Sequence, residues 1–147
     1  MYFNYQSSQP DYAPFSPSVC PGTFQKDAVH WGPIDGSGDG LAVTFKCVKG
    51  GDESHLYSFQ IKFDSDEAGF WYSDTGTPGG SESDFWSVAT HEFGHATGWS
   101  PHFVEGSSLC PDGEDQQVMC PELDGGATER RLDTHDKDTF SDAYPAQ

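Results

Sequence analysis

Basic side chains are scarce in this chain. Seven lysines and arginines stand against 24 aspartates and glutamates, a formal charge of −17. Binding to phosphate backbones needs basic surface, so nucleic acid is excluded as a partner. The acidity reads as a solvated, self-repelling surface, or as carboxylates set aside for calcium. Long apolar runs are also missing. Nothing approaches the roughly 20 apolar residues of a membrane helix, so no membrane partner is expected. The N-terminus lacks the basic and apolar regions of a secretory leader, as expected if a leader or pro-segment has been removed. The cysteines are Cys20, Cys47, Cys110 and Cys120, and none belongs to a CxxC pair. That argues against a four-thiolate zinc site. An even count in a loop-rich acidic chain suggests two disulfides and a secreted, extracellular protein, with four reduced thiols as the alternative. Of the possible pairings, Cys20–Cys47 and Cys110–Cys120 each close a short local loop.

What is present fits one domain over residues 1–147. With 17 glycines and 10 prolines, loops must be plentiful, and aromatics at 14% are enough to build a core. Tyr2–Tyr5 alternates as a short strand. Phe24, Ala28 and Trp31 stand at helical spacing and predict a helix over 23–31. "LAVTFKCV" (Leu41–Val48) reads as a buried strand. "HLYSFQIKFD" (His55–Asp64) alternates as a strand with one buried face. "SDTGTPGGSES" is a loop. "SDFWSVATHEFGHATG" is the clearest helix. Ser83 is its candidate N-cap, Asp84 lies in the first turn, and Phe85, Val88, Ala89, Phe93 and Ala96 form its apolar stripe. Gly98 is a natural terminator. A last helix is expected over Leu132–Tyr144, with Leu132, Phe140, Ala143 and Tyr144 facing inward. Strands precede the main helices, so the class is α+β.

The chemistry gathers in "HEFGHATGWSPHF" (His91–Phe103). Residues i and i+4 share one helix face, so His91 and His95 can present two imidazoles to one metal ion. Glu92 can reach a metal-bound water without being a ligand. This is the HExxH pattern: two nitrogens for zinc and a carboxylate as general base. A solvated histidine pair is the plainer reading, but this helix face is otherwise apolar. A catalytic zinc needs a third protein ligand. Just beyond the turn at Gly98 the one histidine is His102, with Glu105 and Asp112 as the nearest acidic alternatives.

At these residues the chain resembles the metzincin zinc peptidases, whose signature is HExxHxxGxxH followed by a Met-turn. It is most similar to matrixins, and among them to the small secreted matrixin-like peptidases of actinobacteria. "QIKFDSDEAGFWY" is similar to the matrixin strand and FDxDExW motif before the active-site helix. "VMCP" (Val118–Pro121) resembles the Met-turn, with Met119 beneath the metal. "LDTHDKDTFSDAY" resembles the last matrixin helix, and Asp136 matches the acid that braces the Met-turn. "YFNY" and "TFQKDAVHW" with "VTF" match the earlier elements more loosely. The resemblance implies a metzincin-type domain with a small, twisted, mostly parallel sheet, an active-site helix, a Met-turn and a C-terminal helix.

The chain departs from the family pattern in three places. The third ligand position, ten residues after His91, is Pro101, and His102 follows at eleven. A turn longer by one residue still lets His102 reach the metal. Lys62 stands where matrixins carry the last histidine of a structural zinc, so no structural zinc is expected. The cysteine motif of the inhibitory pro-segment is absent. Asp64 and Glu67 match matrixin calcium ligands, with an exposed acidic turn as the alternative.

The resemblance implies a zinc-dependent endopeptidase working by Glu92-assisted attack of a zinc-bound water, as a monomer on peptide or protein substrates. The alternatives are a metal-stabilised binding module without catalysis, or a zinc hydrolase of non-peptide amides. Residues after the Met-turn would wall the substrate pocket. Arg130 and Arg131 read as a surface pair, or else bias that pocket toward acidic side chains.

Overall fold

The computed structural model describes residues 27–36, 40–49, 52–66, 71–72, 74–97 and 117–143. Three strands form one sheet: β1 (Ala28–Gly32), β2 (Ala42–Lys49) and β3 (Asp52–Asp64), in the order β1-β3-β2. β1 runs parallel to β3 with Ala28 opposite Gln60, and β2 runs antiparallel with Ala42 opposite Phe63. The sheet is mixed and is accompanied by two helices, an α+β arrangement.

β3 lies in the middle because its residues serve two partners. Ile61 and Phe63 are fully buried on one face, and Phe59 packs with them. The other face was expected to meet solvent, yet Ser58 and Gln60 are also buried. Alternation marks the apolar face of a strand but carries no information about what covers the polar one.

The helix expected over 23–31 is not what forms in its described part, since residues 28–32 are β1. Val29, His30 and Trp31 are branched or aromatic residues that suit a pleated surface. Pairing with β3 gives their backbone groups partners from Ala28↔Gln60 to Gly32↔Asp64. Tertiary pairing outweighs a three-residue helical spacing. Residues 23–26 and Tyr2–Tyr5 lie outside the described residues.

Two short strands, β4 (Trp71–Tyr72) and β5 (Ser83–Asp84), pair in parallel and lead into helix α1 (Phe85–Ala96). Asp84, not Ser83, caps α1. Its backbone is extended (φ −73°, ψ 108°), and its carboxylate accepts the Ser87 N–H at 2.9 Å. Ser83 is held in β5 opposite Trp71. An N-cap of this kind is worth about 0.5–2 kcal/mol. At the other end, the Thr97 N–H donates to Phe93 O at 3.0 Å and Gly94 O at 3.2 Å. Gly98 lies outside the described residues.

α1 lays Val88, Ala89 and Ala96 on β2 and β3. An aromatic cluster locks its first turn. Phe85 stacks on Trp31 at 5.6 Å, tilts against Phe63 at 4.8 Å and meets Trp71 edge-on at 5.9 Å. Deleting a buried ring such as Phe63 typically costs about 3–5 kcal/mol.

The last helix, α2, runs Thr134–Ala143, two residues later than expected at its start. Asp133 and Asp136 define that start by a reciprocal pair of bonds. The Asp136 N–H donates to Asp133 Oδ1 at 3.0 Å, and the Asp133 N–H donates to Asp136 Oδ2 at 3.1 Å. This is a capping box built from two aspartates. Leu132 packs on Val118 and Met119, as an inward residue should. Phe140 does not face inward and is 37% exposed. Asp136 holds the buried side of α2 instead, on which a charged residue serves the turn at 117–120. Among the described residues, no helix is long and apolar enough to cross a membrane.

Candidate metal centre and substrate cavity

His91, Glu92 and His95 all lie on α1, and the helical period decides their faces. The Nε2 atoms of His91 and His95 stand 3.0 Å apart. His91 Nδ1 lies 2.7 Å from the Val118 carbonyl oxygen. A carbonyl only accepts, so Nδ1 carries the hydrogen and Nε2 presents a lone pair. That tautomer is the one a metal ligand needs. Two ligands of one tetrahedral zinc, each about 2.0–2.1 Å from the ion, sit about 3.3 Å apart, so the spacing fits zinc.

His102, Glu105, Asp112 and Glu67 lie outside the described residues. Among the described residues, no three metal-binding side chains form one group.

Glu92 is buried, 5% exposed, and lines the same cavity wall as His91. Thr44 Oγ1, on β2, donates to Glu92 Oε2 at 2.6 Å and to the Glu92 carbonyl at 3.0 Å. Burial pushes the Glu92 carboxyl up to about 7, and the bond from Thr44 offsets part of that rise. A cation nearby would favour the carboxylate. Nothing in the sequence marked Thr44, because a threonine inside a strand is ordinary.

The turn at 117–120 supports His91 through the Val118 carbonyl. Met119 is fully buried, and Val118 beside it is 4% exposed. Asp136, also fully buried, accepts the Val118 N–H at 3.2 Å. Burial raises its carboxyl above the ordinary value, against bonds from the N–H groups of Asp133, Val118 and Met119. A chain of contacts thus runs from Asp136 through the backbone of Val118 to His91. Cys47 and Cys120 are buried and disulfide-bonded. Cys20 and Cys110 lie outside the described residues.

A cavity of about 380 Å³ opens beside His91 and Glu92. Leu41, Ala42 at the start of β2, Val118, Pro121 and Leu123 are among the residues that line it. Arg130 takes no part in it. Arg130 is neither a surface partner of Arg131 nor a base for acidic substrates, because its guanidinium is committed elsewhere. It grips the fully buried Asp84 through Nε at 2.9 Å and Nη2 at 2.6 Å. Nη1 and Nη2 also donate to the carbonyls of Thr75, Asp74 and Gly76. Burial alone would raise the Asp84 carboxyl, but the bonds from Arg130 and Ser87 prevail and hold it below the ordinary value.

Next to this fork, the Glu129 N–H donates to Ser87 Oγ at 2.6 Å. At Gly125 an added Cβ would lie 2.6 Å from the Gly80 carbonyl oxygen, so only glycine allows that approach. The segment after the turn is thereby tied to the start of α1, with the cavity between.

At the end of β3, Asp64 is fully buried. Its Oδ1 accepts the N–H groups of Asp66 at 2.8 Å and Ile34 at 3.3 Å. Its Oδ2 has no partner among the described residues. A buried carboxylate oxygen left in this way fits an oxygen-seeking cation.

Among known families, the model of the matrixin peptidases matches residues 23–144. No curated protein and no solved structure matches the chain.

Proposed function

Since the chain belongs to the matrixin family of zinc metallopeptidases, we propose that it is an endopeptidase with Glu92 as general base and His91, His95 and His102 as the zinc ligands. The observation that carries this reading is the convergence of the His91 and His95 Nε2 atoms at 3.0 Å beside the buried Glu92 carboxyl, at the wall of a cavity. Zinc, when bound, polarises the scissile carbonyl and lowers the pKa of water.

The protein's own groups do the rest. Glu92 takes a proton from the attacking water. The water oxygen bonds to the carbonyl carbon, the C–N bond breaks, and Glu92 returns the proton to the leaving amine. The Val118 carbonyl keeps His91 in the ligating tautomer. The cavity beside Glu92 receives a substrate side chain. His102, beyond α1 in the chain, would complete the ligand set, and Met119 forms an apolar floor.

Asp64, with Glu67, is proposed to hold a structural calcium. Two disulfides, Cys20–Cys47 and Cys110–Cys120, suit a secreted monomer.

Cleavage of a proteome-derived peptide library, read by mass spectrometry, tests the peptidase reading. Wild-type cuts that Glu92→Ala loses by a factor of about 10²–10⁴ would establish it. A zinc-loaded protein that cuts no peptide would turn the reading toward a binding module or a non-peptide substrate.

A further inference from the structure

We propose that Thr44 is a positioning residue for the general base: its hydroxyl holds one oxygen of the Glu92 carboxyl and thereby aims the other at the attacking water. The inference rests on the reading of Glu92 as the base. It goes beyond it, because Thr44 belongs to the sheet and not to the zinc-binding helix.

The geometry is specific. Oγ1 of Thr44 lies 2.6 Å from Glu92 Oε2, the length of a strong hydroxyl–carboxylate bond, and 3.0 Å from the Glu92 backbone carbonyl. One side chain thus meets both ends of the same residue. Thr44 is paired with Ile61 in the β2–β3 ladder, and Ile61 is fully buried. The hydroxyl therefore projects from a fixed backbone, and β-branching narrows its χ1 choices.

Glu92 has three side-chain torsions of its own, and a helix constrains little beyond the first. Without an external partner, its carboxyl would sample several positions in the cavity wall. Engaging Oε2 leaves Oε1 as the oxygen that Thr44 does not hold. The contact serves both halves of the reaction. Oε2 accepts from Thr44 whether the proton is absent or sits on Oε1. Proton transfer gains from such placement because a small misplacement of a reacting group is costly.

The test compares Thr44→Val, which keeps the shape and removes the hydroxyl, with Thr44→Ser, which keeps the hydroxyl. Steady-state cleavage of a fluorogenic peptide would be measured with zinc content and thermal midpoint beside it. Thr44→Val should lower kcat about tenfold or more, with KM and bound zinc near wild type. Thr44→Ser should recover most of that loss. Equal losses in both variants, or a fall in thermal midpoint with kcat unchanged, would mean that Thr44 only ties β2 to α1.

A second readout needs no turnover. In protein labelled with 13C at glutamate carboxyls, the Glu92 signal is the one that Glu92→Gln removes. It should move in Thr44→Val and stay in Thr44→Ser, and an unmoved signal in Thr44→Val overturns the inference. If wild type cuts no peptide while this signal behaves as expected, it is the peptidase reading that fails and the positioning contact that stands.

Discussion

The buried carboxylate of Asp136 accepts the N–H of Val118 at 3.2 Å, and Val118 passes the restraint on through its carbonyl, 2.7 Å from His91 Nδ1. One residue, Val118, therefore connects the start of α2 with the first candidate zinc ligand through its two flanking peptide groups. The same Asp136 oxygen accepts the Asp133 N–H, so capping α2 and bracing the turn depend on one side chain.

Asp136→Ala should weaken zinc binding by about 10–100-fold, the usual effect of removing an indirect support of a ligand. A chelator competition titration measures it. Thermal stability should fall in the zinc-free protein too, because the cap of α2 goes with the brace. Unchanged zinc affinity in Asp136→Ala would show that the turn holds His91 without it.

Removing a ligand should cost more than removing its support. His91→Ala, His95→Ala and His102→Ala are each expected to leave the protein with much less than one zinc after dialysis, as read by elemental analysis. Full zinc in His102→Ala would assign the third position to Glu105 or Asp112.

Calcium should act through Asp64. Millimolar calcium is expected to raise the thermal midpoint of wild type, and binding at about 100 times Kd would add roughly 2.7 kcal/mol. Asp64→Asn should lose the response while remaining folded. A wild type indifferent to both calcium and chelator would remove the calcium site from the account.

The Asp84–Arg130 fork makes stability depend on pH in a definite direction. The folded-state pKa of Asp84 lies below its ordinary 3.8. Its contribution is therefore complete above that ordinary value and disappears as pH falls through the folded-state value. The gap in thermal midpoint between wild type and Asp84→Asn should be widest near neutrality and narrow below about pH 4. A gap that holds constant or widens in acid would contradict the pairing.

The candidate centre was legible in the sequence wherever it depends on neighbours along the chain. His91, Glu92 and His95 share one helix, and a period of 3.6 residues brings His91 and His95 together whatever surrounds them. The capping pair of Asp133 and Asp136 is equally local, yet the helix was expected from Leu132 and Asp136 was marked only by the family resemblance.

What the tertiary structure alone decided are the contacts between distant segments. Thr44 reaches Glu92 across a separation of 48 residues, and Arg130 reaches Asp84 across 46. The register of β2 on β3 sets the first, and the path of the chain after the turn at 117–120 sets the second. Neither leaves a periodic trace, so Arg130 looked like a surface charge and Thr44 like any strand residue. Residues 28–32 show the same limit in the backbone: their spacing suits a helix, and the hydrogen bonds offered by β3 make them a strand. Local spacing settles which side chains share a helical face. Long-range pairing settles what those side chains touch, because it is the sum over the whole sheet that selects the register.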